Sequence, residues 1–289
     1  MIDALTTLLS SQMMQRSLLA ALIVGLTAPI IGTYLVHRRL AMLGDGIGHI
    51  SLTGVALGWL AGTFANVSPT DSWAIPGAVI ISLLGAITIE LVRQSGRTSG
   101  DTALAMLFYG GIAGGVLLIG LAGGTSAQLN SYLFGSISTV RWSDITLITL
   151  LGVAIVALGI GLAPALFSVT NDEDFARSTG LPVRTLSLLI AILSALTVAV
   201  AMRVVGSLLV SALMVIPVAI AQLGARSFRS TMGIAMALGV IICTFGLSLT
   251  YFVDLSPGAT IVVGAICLYA IGFTIRAIVD RIRRVRRLR

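Results

Sequence analysis

The stretch LGDGIGHISLTGVALGWLAG, residues 43–62, decides the fold. It is apolar and long enough to cross the roughly 30 Å hydrocarbon core of a bilayer as one helix, yet it holds an acid and an imidazole. Ionisable side chains inside a membrane segment cost roughly 3 kcal/mol each on insertion scales, and they face a protein interior or a water-filled path. Asp45 and His49 stand four apart. On a helix that puts them on one face with Cβ atoms about 6 Å apart, close enough to share one small cation. A plainer reading has Asp45 bonded to His49, or each bonded to a neighbouring helix. Three glycines around the pair, Gly44, Gly46 and Gly48, favour a pathway for an ion or substrate. Gly54, Gly58 and Gly62 then recur at every fourth position, the spacing that lets a membrane helix pack closely on a neighbour.

Composition places this helix among many others. The 289 residues are 57% hydrophobic and 10% charged, with a mean hydropathy of +1.05. A soluble domain of that length carries far more charge, so the chain is read as an all-α polytopic membrane protein, a single transmembrane domain over residues 1–289. The net charge of +7 comes from arginines alone, since no lysine occurs. A P-loop needs its lysine on the phosphates, so the chain is not its own P-loop ATPase, and Schiff-base chemistry is excluded too. HExxH and GxSxG are missing as well, and no enzyme activity is expected. Cys243 and Cys267 lie in separate apolar runs without CxxC spacing and read as small buried residues. The basic loops and tail explain the charge without nucleic acid. No basic cluster precedes the first apolar run and no A-x-A site ends it, so no cleavable leader is expected.

In chain order, a modestly amphipathic lead-in at 1–16 precedes spans at 17–36, 43–62, 73–92 and 102–122. Ser99 or Asp101 is placed to cap the fourth span. Half-polar residues 127–143 read as an interfacial or re-entrant segment before a span at 145–167. The polar SVTNDEDFARSTGLPVR, 168–184, reads as a short helix outside the bilayer. Thr170 or Asn171 is placed to cap it, Asp172, Glu173 and Asp174 sit against its positive end, Arg177 lies near its close, and Gly180 with Pro182 stops it. The block 186–223 is too long for one crossing and splits near residues 203–206, with Pro217 in its second half; spans at 232–252 and 259–279 follow. That makes about nine crossings. With residues 1–16 outside, alternation puts Arg38, Arg39, Arg93, Arg97, Arg177, Arg184, Arg226, Arg229 and the tail 281–289 in the cytoplasm, as the positive-inside rule asks. Arg16, Arg141 and Arg203 fall outside. The tail reads as an orientation signal and lipid anchor.

Five blocks, HRRLAMLGDGIGHISLTGVALG (37–58), SYLFGSI (131–137), NDEDFARSTGLPV (171–183), RVVGSLLVSALMVIPVAIAQL (203–223) and GLSLTYFVDLSPGATIVV (246–263), run through nearly the whole chain. Their order and residues resemble the permease subunits of ABC importers for zinc, manganese or iron ions. The resemblance implies a bacterial inner-membrane permease, a homodimer or one of a pair, that binds no cofactor and works with separate ATPase subunits holding ATP. An extracytoplasmic metal-binding protein would deliver the ion. It implies that the GDxxxH element at Gly44, Asp45 and His49 lines the metal pathway. It also implies that the short helix at about 171–180 is a coupling helix docking on the ATPase through Asp172, Glu173, Asp174, Phe175, Ala176, Arg177 and Gly180. The family's FDxxxAxxxG pattern has Phe where this chain has Asn171. Its usual Pro before the glycine is Thr53 here, implying a less kinked helix. The residues by themselves also admit a proton-coupled cation transporter, in which Asp45 and His49 would relay protons, and an ABC permease for an iron chelate or cobalamin.

Overall fold

The computed structural model describes residues 10–66, 70–96, 99–123, 125–136, 140–253 and 255–287. The first nine residues of the lead-in, part of the 66–72 turn, Arg97, Gly124, Ile137, Asp254 and the last two tail arginine and leucine positions lie outside them. The described residues are built from helices: α1 (Gln12–His37), α2 (Ala41–Phe64), α3 (Ala74–Ser95), α4 (Gly100–Leu121), α5 (Ser126–Phe134), α6 (Trp142–Gly161), α7 (Ala163–Asn171), α8 (Glu173–Ser178), α9 (Val183–Val205), α10 (Val210–Gln222), α11 (Phe228–Phe252) and α12 (Pro257–Arg287). Eight are long and apolar enough to cross a membrane. The ninth apolar segment, α10, has 13 residues and spans about 20 Å, short of a full crossing.

Burial separates centre from rim. The apolar stretch of α9 is 78% buried and that of α1 72%, whereas those of α4 and α12 are 17% buried. α1 and α9 therefore form the core, with α2 beside them, and α4 and α12 line the outside. Contact between helices is close because small residues sit where they cross. At the α1–α11 crossing a Cβ on Gly25 would come within 2.6 Å of the Gly239 carbonyl. Tyr34 on α1 donates to the Gly159 carbonyl of α6 at 2.6 Å.

Local chemistry sets the helix ends. Ser99, rather than Asp101, caps α4 by accepting from the Thr102 amide at 3.1 Å, and Ser227 caps α11 the same way. Thr125 and Gln128 form a reciprocal capping box on α5. The half-polar segment thus becomes a nine-residue helix. Its end packs on the α9–α10 turn, where the Ser207 and Leu208 amides donate to the Tyr132 and Leu133 carbonyls at 2.9 and 3.2 Å.

Four expectations are corrected. The span at 145–167 stops at Gly161, and α7 starts separately with Pro164 in its first turn. The α8 helix is shorter than 171–180, and neither Thr170 nor Asn171 caps it, because both lie in α7. Asp172 caps it instead, accepting from the Asp174 and Phe175 amides at 3.0 and 2.9 Å. Cys243 is buried, but Cys267 is exposed on the outer face of α12. Finally, Arg203 lies within the last turn of α9, 4% exposed rather than at a surface, with Asp144 3.7 Å away. The arginine tail continues α12 as helix to Arg287, and Arg276 donates to the Gln222 and Leu223 carbonyls that end α10.

Candidate metal pathway

α2 runs unbroken through Thr53. The Thr53 hydroxyl donates to the Gly111 carbonyl of α4 at 2.8 Å and so ties the two helices together. One and two turns into α2, Asp45 and His49 face the same way, with Asp45 Oδ1 3.7 Å from His49 Nε2. Two donors at that separation can each sit about 2.1 Å from one first-row ion, subtending an angle of about 120°. The Ser211 hydroxyl at the start of α10 donates to Asp45 Oδ1 at 3.1 Å. Ser211 was silent in the sequence because it lies 166 residues away.

The two side chains differ in access. Asp45 is about a quarter exposed, while the His49 side chain is 3% exposed. Asp45 opens onto a cavity of about 480 Å³ lined also by Met42, Gly46, Asp101, Phe108 and Tyr109. His49 sits behind Phe108, whose ring meets the imidazole edge-on with centroids 4.1 Å apart. His49 Nδ1 is buried without a hydrogen-bond partner. Among the described residues no group of three or more His, Cys, Asp or Glu forms a metal cage. The pair is therefore an open two-donor set.

Backbone contact holds the site turn in place. A Cβ on Gly48 would come within 2.7 Å of the Ser207 carbonyl, and one on Gly111 within 2.6 Å of the His49 carbonyl carbon and the Ile50 nitrogen. Further along α2, Gly54 and Gly58 lie against the first turn of α3: a Cβ on Gly54 would meet the Gly77 carbonyl at 2.5 Å, and one on Gly58 the Trp73 backbone. Gly62 is buried near the end of the helix. The role of Gly111 had only a weak signal, a Gly-Gly pair inside an apolar run.

At the end of the bundle where α1 and α3 finish, α8 shows two faces. Ala176 is fully buried, whereas Phe175 is 60% exposed and the Asp174 and Arg177 side chains are exposed. Gly180 takes φ +82°, the left-handed turn that closes the element before α9. Glu173 turns inward. It binds Arg38 just after α1, and it lies 3.4 Å from Arg93 on α3. Burial pushes the Glu173 carboxyl up, but hydrogen bonds and charge from Arg38 and Arg93 outweigh it and hold the group below the usual carboxylate range.

Comparison with known proteins places the chain in a family. The chain is 32% identical over 266 residues to the manganese transport system membrane protein MntC of Halalkalibacterium halodurans, covering 92% of this chain and 88% of that one. It is 28% identical over 255 residues to the high-affinity zinc uptake system membrane protein ZnuB of Haemophilus influenzae, covering 88% and 94%. The solved structure of PsaBC from Streptococcus pneumoniae in complex with Fab superposes with a TM-score of 0.82 at 30% identity, covering 94% of this chain and 95% of that chain. The model of the ABC 3 transport family matches residues 10–276, and the chain belongs to that family.

Proposed function

We propose that this chain is the permease subunit of an ATP-driven importer of manganese or zinc ions. The observation that carries the reading is the Asp45–His49 pair, two hard-to-borderline donors 3.7 Å apart that open through Asp45 onto a cavity. A carboxylate and an imidazole suit first-row divalent ions, and an open pair releases what it binds, as a pathway must. Ferrous iron would accept the same donors; the names of the relatives favour the first two metals. Two donors leave such an ion short of four, and water would complete the set while the ion passes, so the site stays open. The rim position of α4, which exposes Met106, Tyr109 and Leu117, suits pairing with a second copy of the chain.

The lysine-free sequence supports energy from separate ATPase subunits. The exposed Asp174, Phe175 and Arg177 of α8 offer those subunits a docking face. The end of the bundle bearing α8 and Arg38, Arg93 and Arg184 then lies in the cytoplasm, with the C-terminus, and an extracytoplasmic binding protein would deliver the ion at the opposite end. Uptake of radioactive manganese and zinc is to be measured in cells expressing this chain with its ATPase, intact or hydrolysis-dead. Uptake that needs hydrolysis, and that Asp45→Ala and His49→Ala abolish while the chain still inserts, is the expected result. Uptake that persists without hydrolysis and follows the proton gradient would replace this reading with a secondary transporter. Uptake of an iron chelate or cobalamin with no free ion moved would change the cargo.

A further inference from the structure

The ion-paired cluster under α8 reaches the metal pair through the backbone. Arg38 is buried, with its side chain 6% exposed. It binds Glu173 and also donates to the Ser187 hydroxyl of α9 at 2.7 Å. Arg93 holds Glu90 through two hydrogen bonds, at 2.9 and 2.8 Å, and approaches Glu173 at 3.4 Å. Glu90 is 3% exposed and accepts from Gln94 as well. Two arginines and two glutamates thus form a neutral set joining α1, α3, α8 and α9, with Arg38 and Glu90 buried and Arg93 and Glu173 half-buried.

Its position gives it leverage. Only Arg38, Arg39 and Leu40 separate α1 from α2, and the link is taut. Arg39 takes φ +59°, uncommon for a residue with a side chain, and the Leu40 amide donates to the Leu35 carbonyl at 2.8 Å. The Leu43 amide in turn donates to the Leu40 carbonyl at 2.9 Å. A displacement of Arg38 therefore passes into the first turn of α2, one turn before Asp45. We infer that Glu173, held between Arg38 and Arg93, is a positioning residue through which movement of α8 resets the α1–α2 link and so the place of Asp45 and His49. The inference rests on the importer reading above.

Packed charges of this kind move as a unit: pulling Glu173 away leaves Arg38 buried with only a hydroxyl partner, so α1 follows α8 rather than parting from it. The outward face of α8 has a different task. Asp174, Phe175 and Arg177 point away from the bundle, and a change there alters docking without touching the cluster.

The test uses the complete permease–ATPase complex in liposomes with the metal inside counted against ATP consumed. Glu173→Gln, which keeps shape and loses charge, is expected to lower metal moved per ATP at least tenfold. Arg177→Ala is expected to lower ATP consumption and metal transport together, leaving their ratio within about twofold of wild type. Ser187→Ala, which removes the second anchor of Arg38, is expected to lower the ratio about threefold, and it decides the matter if Glu173→Gln does not insert. An unchanged ratio in the Glu173 variant, or in Ser187→Ala where it must stand in, overturns the inference while leaving the importer intact. A wild-type complex that consumes ATP and moves no metal overturns both.

Discussion

Adjacent glycines on α4 are expected to behave in opposite ways. A methyl group added at Gly111 would lie 2.6 Å from the His49 carbonyl carbon. Carbon atoms sit comfortably at about 3.5 Å, so α4 and α2 would have to part by about 0.9 Å at the level of Asp45 and His49. Metal sites tolerate about 0.2 Å in donor placement, so the shift exceeds the tolerance several-fold. Overpacking of this kind costs about 1–3 kcal/mol, which a helical bundle of this size survives. At Gly110 an added Cβ meets nothing within 4 Å, and alanine is up to about 1 kcal/mol better than glycine within a helix. Gly111→Ala should therefore lower metal uptake at least tenfold with a normal amount of protein in the membrane, and Gly110→Ala should transport as wild type. Initial uptake rates, normalised to the membrane content of each variant by immunoblot, make the comparison. Equal uptake by the two variants, at equal amounts of protein, would refute the claim that backbone contact at Gly111 positions His49.

Asp144→Ala strands the buried Arg203 and should cost about 3 kcal/mol or more; Asp144→Leu with Arg203→Met should recover most of the melting temperature in detergent, and a double variant as unstable as the single would show that charge pairing is not the cause. Gly206 holds φ +88° with the Leu133 carbonyl carbon 2.5 Å from where its Cβ would lie, so Gly206→Ala should reduce the fraction of protein that inserts and stays monodisperse, while Gly224→Ala, in open space, should not. Glu173 titrates below its ordinary value of 4.5 because Arg38 and Arg93 favour its charged form. Its contribution to holding α8 is thus complete above that value and is lost as pH falls through the lower folded value. Hydrogen exchange of residues 173–178, corrected for intrinsic rate, should accelerate only on that acid side; acceleration between pH 8 and 6 would contradict the assignment.

Much of this was legible because the membrane makes the sequence explicit. Each long apolar run is a helix since no other structure satisfies its backbone in lipid, and the i, i+4 spacing alone put Asp45 beside His49. Closing signals at α8 were legible too, as Gly180 and Pro182 are local. What the sequence concealed was partnership at long range. Arg203 looked like a loop residue because nothing near it advertises Asp144, 59 positions earlier. Glu173 read as a helix-dipole acid, whereas its main partner is Arg38 in the link between α1 and α2. The Asn171 boundary was missed for a physical reason as well. Asn171 and Asp172 are both good caps, and the choice fell to the residue whose oxygen could reach two free amides once α7 had claimed the first.

Convergence on α2 explains why one helix carries both the donors and the seam. Its glycines bring neighbouring backbones into direct contact: Gly48 with the α9–α10 turn, Gly54 and Gly58 with α3, while α4 supplies Gly111 against His49. Side chains that hop between rotamers would let such neighbours slide, but backbone against backbone leaves little room for adjustment, so α2 and its neighbours pack as one unit. The donors themselves stay soft. Asp45 keeps a free side toward the cavity and His49 waits behind the Phe108 ring. An ion entering would meet Asp45 first and reach His49 only as Phe108 yields. Phe108→Ala should therefore raise the rate at which the isolated permease gains and loses manganese, measured by rapid mixing, while changing its equilibrium affinity less than tenfold. A large loss of affinity through faster release, with the rate of gain unchanged, would instead make Phe108 part of the wall that shapes the site, and Asp45 and His49 would be equally reachable.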